Sequence, residues 1–76
     1  MSHEIKMEMK KRAHLLRGLV NLLNDDITCV CIDADTYDLF NIEGSVQETR
    51  DTLNKMYACI EELESTIRIS KRSVLK

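Results

Sequence analysis

Proline is absent from this 76-residue chain, glycine occurs twice, and the only rings are Tyr37, Phe40 and Tyr57. Without proline and with two glycines, few breaks or tight turns are expected, so the secondary-structure elements should be long. With three rings, any interior must be built from Leu, Ile, Val and Met. Long hydrophobic runs are also missing, so no segment is expected to span a bilayer. The N-terminus Met1-Ser2-His3-Glu4-Ile5-Lys6 is polar and lacks the apolar stretch of a secretory signal. Three cysteines are an odd number, and Cys29 and Cys31 lie two apart. Free thiols in a reducing, cytoplasmic compartment are therefore expected, with no disulfide framework.

What is present is the composition of a folded chain, 43% hydrophobic and 32% charged, which is too apolar for disorder. The net charge is −2, and it is unevenly distributed. Residues 1–20 carry +3, residues 21–45 carry −6 with no Lys or Arg, residues 46–67 carry −3, and residues 68–76 carry +4. Both ends are basic and the middle is acidic.

Helical spacing of Ile5, Met9, Ala13, Leu16, Leu19, Val20 and Leu23 predicts a first helix over residues 2–24, with Asn24-Asp25-Asp26 as its stop. Gly18 falls on its polar side. A second helix is expected over 45–72. Ser45-Val46-Gln47-Glu48 fits a capping box after Gly44. Val46, Thr49, Leu53, Met56, Ile60, Leu63, Ile67 and Val74 then fall on heptad positions, with Ser70 the weak one.

Between them, Ile27-Thr28-Cys29-Val30-Cys31-Ile32 is rich in β-branched residues. Tyr37–Ile42 is a second strand candidate, and Asp33-Ala34-Asp35-Thr36 reads as a turn. The fold expected is thus α+β and mostly helical. A helix, a β-hairpin over 27–42 and a helix form one domain, with the long helices antiparallel and the basic ends together. The alternatives are a short helix over 34–41 capped by Asp33, and an all-α helical hairpin or bundle.

Asp33-Ala34-Asp35 after an apolar run resembles the opening of haloacid-dehalogenase-type phosphatases, which would make Asp33 a nucleophile and Asp35 a general acid. The resemblance covers about five residues. Tyr37 stands where those motifs carry Thr or Val, and 76 residues leave no room for that fold. A calcium loop fails as well, with Asp38 at the glycine position and Gly44 at the final glutamate position. Cys29, Cys31, Cys59 and His14 lack the two paired clusters of a structural zinc site. No Ser or Cys nucleophile has a local base and orienting partner. No catalytic residue, metal or cofactor is therefore expected. A DNA-binding ribbon–helix protein is not favoured either, because its ribbon would be basic and first, whereas this one is acidic and central.

A chain this short has little interior, so a partner chain is the expected source of stability. Leu16, Leu19 and Leu23, facing Leu53, Met56, Ile60, Leu63 and Ile67, are the expected oligomer interface. The leading functional expectation is a self-associating, non-enzymatic module that blocks or scaffolds another protein, as small phage or mobile-element accessory proteins do. It would offer Asp33, Asp35 and Asp38 to that protein. The rival is a binder of a phosphate-rich ligand (a nucleotide, a cyclic oligonucleotide or a nucleic acid) through Lys10, Lys11, Arg12, Arg17, Arg68, Lys71 and Arg72.

Overall fold

The computed structural model describes residues 3–75, with side chains through residue 72. Two helices, α1 (His3–Asp35, 33 residues) and α2 (Leu39–Leu75, 37 residues), form an antiparallel hairpin. Hydrogen bonds pair Asp33 with Ser45, Asp26 with Thr52 and Arg12 with Glu62, which fixes the antiparallel register. The chain is a rod, 58 × 14 × 12 Å, with a radius of gyration of 17.3 Å. A compact domain of this length would have about 11 Å.

The expected β-hairpin over 27–42 is not there: no strand occurs among the described residues, and the helical hairpin, named above as an alternative, is the fold. The first helix runs past 24 to Asp35, and the second begins at Leu39 instead of 45. The heptad position given to Val74 lies outside the described side chains.

Helix can run through the β-branched stretch because its local hydroxyls are satisfied in helical geometry. Thr28 donates to the Asn24 carbonyl at 2.9 Å, the back-bonding open to Thr inside a helix, and Thr36, just past the end of α1, does the same to Ile32 at 3.0 Å. Spacing does the rest. In α1 the half-buried residues are Ile5, Met9, Arg12, Leu16, Leu19, Leu23, Asp26, Val30 and Asp33. They alternate steps of four and three, a heptad seam that crosses the supposed stop at Asp25-Asp26 without interruption. In α2 the matching row is Ile42, Ser45, Thr49, Thr52, Met56, Cys59, Leu63, Thr66 and Ser70.

The turn needs only residues 36–38. The Asp38 amide donates to the Asp33 carbonyl at 2.9 Å and the Tyr37 amide to that of Ala34 at 3.1 Å. Those two bonds make a Schellman motif, whose C′ residue is left-handed. Here that residue is Tyr37, with φ 56°, where glycine is usual. Asp38 then caps α2: its Oδ1 accepts from the Asn41 amide at 3.1 Å, and its carbonyl accepts from the Ile42 amide at 3.0 Å. Ser45 is thus an interior residue of α2 and caps nothing, and Gly44 makes no turn.

Glycine is therefore missing where it would fit and present where it does not. A Cβ added at Gly18 or Gly44 would meet nothing within 4 Å. Gly18→Ala and Gly44→Ala should each stabilise the helix by about 1 kcal/mol, and Tyr37→Gly should relieve about 1–2 kcal/mol of left-handed strain. Thermal melts of the three variants should all shift upward. A fall for either alanine variant would mean that its outer face touches something.

Candidate functional site

The hairpin has almost no core of its own. Among the described residues only Thr52 (4% exposed) and Cys59 (3%) are buried. A folded monomer of 8.8 kDa exposes on the order of 4,800 Å², whereas this chain exposes 6127 Å². Large apolar side chains are exposed on both flanks of the seam, Leu15, Leu22 and Ile69 on one and Val20, Ile27, Val46, Leu53, Ile60 and Ile67 on the other.

Helical geometry divides the seam into two halves. At 100° per residue, Met9, Leu16, Leu23 and Val30 of α1 lie toward the same side as Thr49, Met56 and Leu63 of α2. Next to them, one step further out, come Ala13, Val20 and Ile27 on α1 and Val46, Leu53, Ile60 and Ile67 on α2. The last four are 39–43% exposed, and Val20 and Ile27 stand out as well. An apolar groove lined by Ile27, Val30, Val46, Thr49 and Leu53 runs into one lined by Leu53, Met56, Tyr57 and Ile60. This is a continuous apolar face along the rod.

The other half of the seam is mostly polar, with Ile5 and Leu19 its apolar members. Thr52 donates to Asp26 Oδ2 at 2.5 Å, Ser45 to Asp33 Oδ2 at 2.5 Å, and the Cys59 thiol to the Arg12 carbonyl at 3.3 Å. Arg12 Nε donates to Glu62 Oε2 at 3.1 Å, and its Nη1 pairs with Glu8. The Glu8 hydrogen bond is the main cause holding the guanidinium pKa above its ordinary value, with Glu62 adding to it and burial opposing. These pairs set the register, and among the described residues no buried side-chain polar atom lacks a partner.

The expected interface residues therefore separate. Leu16, Leu19, Leu23, Met56 and Leu63 are half-buried between α1 and α2. Leu53, Ile60 and Ile67 are off that seam and line the open face. No described residue of this chain buries them.

No protein-family model, curated protein or solved structure matches this chain.

The acidic candidates have structural duties. Asp33 is tied to Ser45 across the seam and Asp38 caps α2, its Oδ2 also accepting from Asn41 Nδ2 at 2.6 Å. Asp35 is exposed at the turn. What sequence reasoning missed is the apolar surface beside it: Phe40 is 92% exposed and Tyr37 70%, with Leu39 and Ile32 also out. Tyr37, Leu39 and Phe40 fall in the second strand candidate, 37–42, and Ile32 in the first, so their apolarity reads as sheet burial.

Of the basic candidates, Lys10, Lys11, Arg17, Arg68, Lys71 and Arg72 are exposed and Arg12 is half-buried in its two ion pairs. Lys10 and Lys11 diverge by about 100° around the helix, whereas Lys10 and Arg17, seven residues apart, share a face. Cys29 and Cys31, expected on one side of a strand, point away from each other on the helix, and both are exposed. Among the described residues no three His, Cys, Asp or Glu side chains cluster as metal ligands would. No described helix is long and apolar enough to cross a membrane.

Proposed function

We propose that this chain is a non-enzymatic interaction module: it self-associates through the apolar face and offers its turn end to another protein, which it blocks or scaffolds. The single observation that carries this reading is the open row Val46, Leu53, Ile60 and Ile67 on a hairpin with only two buried side chains among its described residues. A contiguous apolar strip of that length marks an association surface. The turn end has the make-up of a contact patch, with Tyr37 and Phe40 as aromatic anchors beside Asp35. Two exposed thiols suit a reducing compartment such as the cytoplasm.

The phosphate-ligand reading has less support. Arg12, one of its candidate cations, is engaged by Glu8 and Glu62.

Sedimentation and melting over a hundred-fold concentration range test the proposal. The expected species is at least twice 8.8 kDa, with a melting midpoint that climbs with concentration as mass action requires. A single 8.8 kDa species melting cooperatively at one concentration-independent midpoint would overturn it.

A further inference from the structure

We infer that the occupant of the apolar face is a second copy of the same chain, laid face to face and antiparallel, so that two hairpins make a four-helix bundle with turns at opposite ends. This rests on the self-association proposed above and specifies its geometry.

Three observations select that occupant. The first is area. The rod as a whole exposes about 1,300 Å² more than a compact monomer, and a standard interface needs about 800 Å² per partner. A face 58 Å long and 14 Å wide supplies that much.

The second is the symmetry of the pattern. A twofold contact must be self-complementary: if residue i meets j, then j meets i. On α2, an axis beside Tyr57 brings Leu53 opposite Ile60 of the second copy and Val46 opposite Ile67. Tyr57 is also the midpoint of Leu39–Leu75. On α1, an axis at Val20 brings Ala13 opposite Ile27, small against large. Both axis points must lie at one level of the rod for a single dyad to exist, and they do. The pairs Asp26–Thr52 and Arg12–Glu62 bracket the level of Val20 and place it beside residues 54–58.

The third is charge. Outside the apolar rows of α2, Arg50 and Glu64 sit seven residues either side of Tyr57. The antiparallel dyad therefore sets Arg50 of each copy beside Glu64 of the other. The same operation lays the basic end of one rod, with Lys10, Arg68 and Lys71, over the acidic turn end of the other, with Asp35 and Glu43. Turning the copies parallel would stack like ends together, at a cost in like-charge repulsion.

Cross-linking reads the arrangement directly, in full-length protein with the exposed Cys29 and Cys31 replaced by serine. Val20→Cys, on the dyad, should oxidise to a disulfide-linked dimer with its own copy. Val46→Cys should cross-link to Ile67→Cys when the two variants are mixed. It should not cross-link to itself, because its own counterpart is about 30 Å away along the rod. A Val46→Cys dimer in place of the mixed one would overturn the antiparallel arrangement while leaving self-association standing. No cross-link at any of these positions, with the mass at 8.8 kDa, would overturn both.

Discussion

Leu53→Lys/Ile60→Lys should reduce the protein to a largely unfolded single chain at micromolar concentration, with more than half of its helical circular dichroism lost. Each side chain is 39% exposed in the lone hairpin, so a partner's burial of the remainder supplies part of the roughly 1.5–3 kcal/mol that such a residue yields when fully covered. The loss falls on a chain with no reserve. Its seam is one residue deep, two side chains are buried, and a 76-residue chain that must order its backbone alone sits near zero net stability. The lysines also face one another across the proposed dyad, so charge opposes what hydrophobic contact no longer drives. A matched variant, Leu53→Glu/Ile60→Glu, should fail alone in the same way. Mixing the two should restore helicity at twice the single-chain mass, because each lysine then meets a glutamate. Full helicity of the lysine variant as an 8.8 kDa species would show that the hairpin supports itself and that the open face does not hold the fold.

The parts of this fold that could be read from the sequence, and the part that could not, differ for one physical reason. The heptads of α2 are visible because most of their positions are Val, Leu, Met or Ile. Even there, two adjacent rows were merged: Thr49, Met56 and Leu63 face α1, while Val46, Leu53, Ile60 and Ile67 lie beside them on the open face. Apolarity marks both rows equally, so pattern alone cannot say which one the intramolecular partner takes. A break between residues 24 and 45 is expected because Asn24-Asp25-Asp26 reads as a stop and Ile27–Ile32 as a strand, and the polar seam there conceals the helix. Asp26 and Asp33 occupy positions where a scan for apolar period sees interruption, and the partners that make them acceptable, Thr52 and Ser45, lie 26 and 12 residues away. The true turn was hidden by the opposite kind of signal. Tyr37 fills a left-handed position that glycine normally announces, and Gly44 advertises a turn inside a helix. The aromatic patch at Tyr37 and Phe40 follows from the same error, since a hairpin would have folded those rings against a sheet face.

The polar rungs themselves can be separated into stability and specificity. Asp26→Ala removes the acceptor of a buried hydroxyl, and an unsatisfied buried group costs about 1–3 kcal/mol. For a domain of this size that is a fall in melting midpoint of roughly 4–8 °C per kcal/mol. Thr52→Val should fall too, because it strips the half-buried Asp26 carboxylate of its donor. Asp26→Leu/Thr52→Val together should not add those losses. Replacing both partners by apolar groups leaves nothing unpaired, so the double variant should melt at or above the wild-type midpoint. What it forfeits is register. Leucine meets valine equally well one heptad along, whereas an aspartate demands a hydroxyl opposite it, the role attested for polar residues in helical seams. With Asp33→Leu/Ser45→Ala added, the turn half of the seam has no polar pair left. Its amide resonances should then broaden or multiply even as the melting midpoint holds. Sharp single resonances in that four-residue variant would mean that the three-residue turn fixes the register by itself. Additive losses in the Asp26/Thr52 double variant would mean instead that the rung contributes net stability, in the manner of a core contact.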